Sequence, residues 1–318
     1  VMPMPLVGRA AALDELRAAW GPVRAGGGGR PAVVTGAAGT GKSALIRALI
    51  DSVRPPLVLA GAARVHSPAP YDWLAAVLAG RGTAGLAVPA DALAWLAQLP
   101  HIPRERYTPE ALLRIAVTVV RHLVGAGPAV LVVEDLHALD PASLNLVGEL
   151  ADARLPALLV VTSRPVETAV APELAARTLA RLAGAGAVRR HLTALSEAQV
   201  AEVLRAVGVP ERVARAVWER TGGNPYRLGE LLATADGDPA TLGGAGDMAG
   251  DGDLTAREVE VLGCLAAGMS NKQVARSLGI SVRTVTVHVS NLLRKTESTS
   301  RTEAALWAVR RGMVAAGT

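Results

Sequence analysis

At 318 residues, half of them hydrophobic but with no Phe and only 3% aromatics, the chain is long enough for two domains whose cores must be built from Leu, Val and Ala. Its net charge of +5 sits in the last stretch: from Leu254 onward nine basic residues face four acidic ones, so the first 253 residues sum to zero and only the tail calls for a polyanion. The lone Cys264 excludes an internal disulfide and a cysteine-cluster metal site, and no apolar run or basic-then-apolar start marks a membrane span or secretion signal, so a cytoplasmic protein without a membrane partner is expected.

The first predicted element is a helix over Ala10 to Trp20, and the "RAGGGGRP" after it reads as a surface loop. Five short runs come next: "PAVVTG" at 31, "LVLAG" at 57, "AVLVVED" at 129, "ALLVVTSR" at 157 and "AVRRHL" at 187. Runs of this length fit strands buried on both faces, and the helical patterns between them imply a parallel α/β sheet with helices on both faces. From Ser196 the pattern is purely helical. Three helices, the first opened by a Ser196–Gln199 capping box, form a helical lid over residues 196–233. Residues 234–253, "TADGDPATLGGAGDMAGDGD", hold almost no large apolar side chain to offset their ordering entropy, and are expected to be a flexible linker. Residues 254–318 then form an all-α domain of four short helices, roughly 255–267, 271–278, 282–296 and 301–312.

Gly36-Ala-Ala-Gly-Thr-Gly41-Lys42-Ser43 fits GxxxxGK[ST] directly after a strand and before the helix "SALIRALI". In such a loop the backbone N–H groups, those of Gly39 and Thr40 among them, face phosphates together with the helix N-terminus; Lys42 supplies a point charge, and the Ser43 hydroxyl ligates Mg2+. Residues 1–195 therefore read as a P-loop NTPase core. "AVLVVED" ends in Glu134 and Asp135, where a carboxylate would meet the metal's water shell and its neighbour orient the attacking water. Thr162, Ser163 and Arg164 stand just past the next buried strand, where an Arg feels the γ-phosphate. Asp140 before Pro141 reads as an N-cap, and His137 as a partner of the strand end.

In the tail, capping boxes at Thr255–Glu258, Ser270–Gln273 and Ser300–Glu303, with Ser281 as a further N-cap, start the four helices. Between the second and third, "LGIS" is a tight turn in which Gly279 suits a left-handed backbone, which makes a helix-turn-helix. On the third helix, Val285, Val289, Leu292 and Thr296 share the core side. Arg283, Thr286, Val287, Ser290 and Arg294 gather opposite, a mixture that suits phosphates, base edges and a thymine methyl.

"LVGRAAALDEL", "GAAGTGKS", "LVVEDLHALDPASL", "VTSRP" and "TGGNPYRLGELL" come in the order seen in the signal-transducing ATPases of the AAA superfamily. The stretch from "LTAREVEVLGCLAAGMSNKQ" to "RTEAALWA" is similar throughout to the LuxR-type DNA-binding domain. Together the chain resembles the large ATP-binding LuxR-type regulators, the MalT-like group, in a short form without their helical-repeat sensor. The resemblance implies ATP and Mg2+ as cofactors, Ser43 and Glu134 at the metal, Val7, Gly8 and Arg9 beside the adenine, Arg164 as a sensor arginine and Pro225 packed on the nucleotide. It also implies that Thr286, Val287 and Ser290 face bases, that Lys272, Arg283, Asn291, Arg294 and Lys295 favour the DNA backbone with Thr284 among them, and that His288 is structural. The chain departs from the pattern at Glu134-Asp135, usually Asp-Asp or Asp-Glu, at Ala138, often Trp, and at "KTESTSR", usually a Leu-Gly turn.

The expected function is an ATP-binding transcriptional regulator whose P-loop serves as a switch, a use compatible with weak ATPase activity. Nucleotide state would set self-association into a homo-oligomer, and so how many tethered tails reach double-stranded promoter DNA together, with RNA polymerase as a further partner. Two alternatives stay open: a nucleoside triphosphatase whose tail is a docking module, and a constitutive DNA binder with a non-hydrolysing pocket. Input is expected through the Pro-, Trp- and Leu-rich segment from His66 to Tyr107, or from another protein.

Overall fold

The computed structural model describes residues 5–62, 69–82, 85–99, 107–234, 242, 256–279, 282–296, 298 and 300–310, without the side chains of residues 256, 257, 282–284, 287, 291, 294, 295, 309 and 310. The chain divides into two compact units, residues 1–243 and 244–318.

The first unit runs α1 (Ala10–Arg24), β1 (Ala32–Gly36), α2 (Lys42–Val53), β2 (Leu57–Ala62), α3 (Asp72–Leu78), α4 (Ala90–Leu96) and α5 (Pro109–Val124). It continues with β3 (Ala129–Glu134), α6 (Pro141–Asp152), β4 (Ala157–Ser163), α7 (Pro172–Gly184) and β5 (Val188–Leu192), and closes with α8 (Glu197–Ala206), α9 (Ala214–Thr221) and α10 (Pro225–Thr234). All five strands pair in parallel in the order β2-β3-β4-β1-β5.

Period-two alternation along β3 divides the core. Val130 and Val132 pack with α1 and α2 on one face, while Leu131 and Val133 pack with α3 and α5 to α7 on the other. Each such side chain, fully buried, contributes on the order of 1.5–3 kcal/mol. The expectation of burial on both faces holds for the central strands. It fails at the edges, because β2 and β5 have a neighbour on one side only and carry exposed residues such as Ala60, Arg189 and His191.

Two boundaries differ from the sequence reading. Helix α1 runs past Trp20 and through Pro22 to Arg24, because Val23 is fully buried against β1 and α2 and this packing outweighs the missing proline N–H. Leu242, inside the expected linker, is buried among Leu195, Val203, Val217 and Leu228 of the helices after β5, and its carbonyl accepts from Arg220 Nη1 at 2.9 Å. Leu242 packs there because it is a large apolar residue in a mostly Gly, Ala and Asp stretch; residues 235–241 and 243–255 lie outside the described ones.

Much of the segment expected to receive input is core. Trp73 is fully buried and its Nε1 donates to Val132 O of β3 at 2.8 Å, and Leu74 and Leu96 are fully buried beside it. Residues 66–68, 83–84 and 100–106 of that segment lie outside the described ones.

The second unit contains α11 (Ala256–Ala266), α12 (Asn271–Leu278), α13 (Val282–Lys295) and α14 (Arg301–Arg310), packed through Val261, Leu265, Val274, Val285, Leu292 and Ala308. The Ser270–Gln273 capping box forms in full, and Ser300 Oγ accepts from Glu303 N at 3.2 Å; Thr255 and Ser281 lie outside the described residues. Gly279 takes φ +66° at the end of α12, as the turn requires. In "KTESTSR" the buried Thr296 donates its hydroxyl to Leu292 O at 2.8 Å and lies 2.9 Å from Ser298 Oγ, so hydroxyls fill the interior there with their hydrogen bonds satisfied. Among the described residues no helix is long and apolar enough to cross a membrane.

Candidate nucleotide site and nucleic-acid interface

In open parallel sheets ligands settle at the C-terminal ends of the strands, and here those ends gather the predicted residues. The register aligns Val33, Val161 and Val133 across β1, β4 and β3, so Glu134 and Thr162 emerge at one level beside the loop that leaves β1. Ser43, in the first turn of α2, donates to Glu134 Oε2 at 2.6 Å. A hydroxyl and a carboxylate in contact form an oxygen-only pair that suits Mg2+, whose other positions go to water and phosphate. The acid aimed at the loop is thus Glu134, the last residue of β3.

Asp135 follows in a left-handed conformation, φ +53°, and its N–H donates to Thr162 Oγ1 at 3.0 Å. Thr162 and Ser163 are the last two residues of β4 rather than residues past it, and both are buried. Arg164 follows as the first exposed residue, and its guanidinium makes no hydrogen bond among the described residues. Its backbone N–H donates to His137 Nδ1 at 3.3 Å, while the His137 carbonyl accepts from Val170 N at 2.8 Å. The loop after β3 is therefore stitched to the end of β4 by two bonds and to the segment before α7 by a third.

Because Nδ1 accepts, the neutral His137 ring carries its proton on Nε2. Burial holds its pKa below the usual histidine value of 6.5; Asp135 opposes that shift, and Arg164 and Lys42 add to it. Between 6.5 and the lowered value the unfolded chain binds the extra proton, so stability falls as pH drops through that window. We expect denaturant midpoints measured from about pH 7.5 to 5 to fall for the parent, and His137→Gln to flatten part of that slope.

The loop itself is held tightly. Lys42 is buried, and Nζ donates to Gly36 O and Ala37 O, both at 2.9 Å. Burial lowers its pKa, with Asp135 pulling the other way and Arg164 adding to the drop. At Gly36 a Cβ would meet Leu192 O at 2.5 Å, so the loop can leave β1 against β5 only as glycine. Gly41 is the N-cap of α2.

Val7, Gly8 and Arg9 lie where the loop meets the chain after β5. Val7 is buried with Val200 and Leu228, and Gly8 packs against the Gln199 side chain. Arg9 Nη2 donates to Thr40 O at 3.2 Å and to Thr193 O at 2.5 Å, and burial lowers its pKa. Pro225 opens α10 directly beside the loop. The residue before it carries the contact that the sequence reading missed: Asn224 Nδ2 donates to Ala38 O at 2.9 Å. Its signal was a helix-capping residue type at the head of "NPYRL".

In the second unit Thr286 and Ser290 are exposed on α13 and Lys272 is exposed on α12, while Val285, Leu292 and Thr296 are buried and Val289 partly so, as the periodicity predicts. His288 is half-buried. The side chains of Arg283, Thr284, Val287, Asn291, Arg294 and Lys295 lie outside the described residues.

Residues 5–162 match the family described as AAA ATPase domain, and residues 253–308 match bacterial regulatory proteins of the luxR family. The chain is similar to the uncharacterized transcriptional regulatory protein YhcZ of Bacillus subtilis, 56% identical over 57 residues, which are 18% of this chain and 27% of that protein. It is also similar to the transcriptional regulatory protein LnrK of the same organism, 48% identical over 61 residues, 19% of this chain and 28% of that protein. The chain thus spans under a third of the length of these curated relatives. Among solved structures it resembles the Orc1 protein of Aeropyrum pernix, solved in complex with DNA, at 15% identity and a TM-score of 0.49, covering 91% of this chain and 84% of that one.

Proposed function

Because the chain joins an AAA ATPase domain to a luxR-family domain, we propose that it is a cytoplasmic, ATP-binding transcriptional regulator whose nucleotide state controls self-association and thereby its grip on promoter DNA. The observation that carries this reading is the Ser43–Glu134 contact at 2.6 Å beside a GxxxxGKS loop, in a chain that also presents Thr286 and Ser290 on an exposed helix face after a helix turn.

In this reading the core spans 1–195, the lid 196–233, the linker 234–253 and the DNA-binding domain 254–318. The N–H groups from Gly39 to Ser43 and the Lys42 ammonium hold the β- and γ-phosphates, while Val7, Gly8, Arg9 and Pro225 enclose the nucleoside. Ser43 and Glu134 would hold Mg2+, which would supply positive charge to the phosphoryl groups. Asp135, fixed through its N–H by Thr162, orients the attacking water, and Arg164, fixed through its N–H by His137, meets charge developing on the γ-phosphate. In the second unit Thr286, Val287 and Ser290 read base edges, and Lys272, Arg283, Thr284, Asn291, Arg294 and Lys295 hold the backbone. RNA polymerase is the machinery such a regulator acts on.

A single four-helix head grips DNA weakly and with steep salt dependence. Bringing tethered heads together raises apparent affinity by roughly 10²–10⁴ without any new contact. The test is DNA binding and particle mass with ATP, with ADP and with neither, on promoter fragments recovered by genome-wide mapping. We expect larger assemblies and tighter binding in one nucleotide state; equal affinity in all three would leave the protein a constitutive binder. Lys272→Ala is expected to weaken binding evenly across sequences and to reduce the slope of log affinity against log salt by about 1.

A further inference from the structure

Five successive carbonyls of the phosphate loop are hydrogen-bonded, and three of their donors come from outside it. Gly36 O and Ala37 O accept from Lys42 Nζ, Ala38 O from Asn224 Nδ2 at 2.9 Å, Gly39 O from Tyr226 N at 3.1 Å and Thr40 O from Arg9 Nη2 at 3.2 Å. A trans peptide is planar, with its C=O and the following N–H pointing opposite ways. A carbonyl held from outside therefore turns the next N–H inward. Asn224 sets the N–H of Gly39, Tyr226 that of Thr40, and Arg9 that of Gly41. No hydrogen bond among the described residues takes any of those three N–H groups.

The first two of these bonds come from the start of α10, and Gly39 is where they meet the loop. A Cβ there would lie 2.4 Å from Asn224 Oδ1 and 2.9 Å from Tyr226 Cβ, and φ is +75°. Asn224 is used at both ends of its carboxamide. Oδ1 accepts from Arg227 N at 3.3 Å and shares the Tyr226 N–H, at 2.9 Å, with Gly39 O, which caps α10, and this leaves Nδ2 for Ala38 O. Serine or aspartate would cap the helix equally well. Neither carries an N–H to reach the loop.

We propose that Asn224 is a positioning residue of the nucleotide site: it holds the Ala38–Gly39 peptide with its N–H turned toward a nucleoside polyphosphate. The proposal rests on the reading that this loop binds a nucleoside triphosphate. It assigns Asn224 to the polyphosphate, through the loop, and not to the base or the sugar.

The test titrates the full chain with MgATP, and with inorganic tripolyphosphate in competition against a fluorescent ATP analogue, for the parent, Asn224→Ser and Asn224→Asp. Asn224→Ser keeps the helix cap and is neutral. We expect it to bind ATP about tenfold more weakly, the effect of one hydrogen bond, with the same factor lost for tripolyphosphate and an unchanged ligand-free melting temperature. Asn224→Asp, which keeps both shape and cap but sets an anion against the Ala38 carbonyl, should lose more. If Asn224→Ser melts early, the comparison passes to Asn224→Asp. Parent-like affinity of the capping variants for both ligands overturns the proposal, and so does a loss confined to ATP, which would put Asn224 on the nucleoside. A parent that binds neither ligand is a different result: it removes the nucleotide reading itself.

Discussion

Lys42→Ala is expected to lower affinity for ATP and ADP by about a hundredfold. The magnitude follows from the chemistry of the site. Nζ stands in the loop with two carbonyls as its partners and little solvent, 7% exposed. Hydrogen bonds to charged groups contribute about 1.5–3 kcal/mol each, which is roughly 10- to 150-fold in affinity, and a phosphate recruits the ammonium as a charge-assisted donor. Burial pulls the Lys42 pKa down, yet Asp135 pulls it back, and an arriving polyphosphate adds further negative charge that favours the ammonium. Calorimetric titration of parent and variant with MgATP measures the loss. A variant that retains ATP like the parent would remove the phosphate site from this loop. In the proposed mechanism the same substitution makes DNA binding indifferent to nucleotide, so one protein preparation tests the pocket and the switch separately.

The strands that carry this site were legible because their side chains must be buried whatever else the protein does. The five runs at 31, 57, 129, 157 and 187 each became a strand of one parallel sheet. Where a residue's partner lies near it in sequence, the pattern also holds: Ser196 with Gln199 and Ser270 with Gln273 form reciprocal capping boxes. That Glu134 stands at a strand end was legible in "AVLVVED"; that its carboxylate meets Ser43 was not, since 91 positions separate the two. What stayed hidden were bonds between residues far apart in sequence and close only through the fold. Asn224 reaches Ala38 across 186 positions and Arg9 reaches Thr193 across 184. The end of α1 was missed in the opposite sense, because the burial of Val23 carries the helix through Pro22, past the expected end at Trp20.

Asp140 shows the same limit and carries the largest expected effect on stability. As predicted it caps α6, its Oδ1 accepting from Ser143 N at 2.9 Å. The same carboxylate also accepts from Tyr71 N at 3.1 Å and Asp72 N at 3.2 Å, so it caps α3 as well, from 68 residues away. Burial and this carboxylate push the Tyr71 phenol up to about 12. Asp140→Ala would leave the N–H groups of Tyr71 and Ser143 without an acceptor, while Asp72 N keeps Ala69 O at 3.2 Å, in a region where Asp140 and Asp72 are each at most 5% exposed. Orphaned buried donors cost about 1–3 kcal/mol each, and relaxation recovers part of the sum of two, so we expect a loss of about 2–4 kcal/mol in urea unfolding of the first unit. Asp140→Asn keeps Oδ1 for Tyr71 and Ser143 but turns an NH2 toward Asp72 N–H, and should lose about half as much. The effect reaches the nucleotide site because α3 holds Trp73 against Val132, two residues before Glu134. At temperatures where Asp140→Asn remains folded, its ATP affinity is therefore expected to fall together with its stability. An Asp140→Ala loss under about 1 kcal/mol would mean that water satisfies the two N–H groups, and that α3 is not what holds the end of β3 in place.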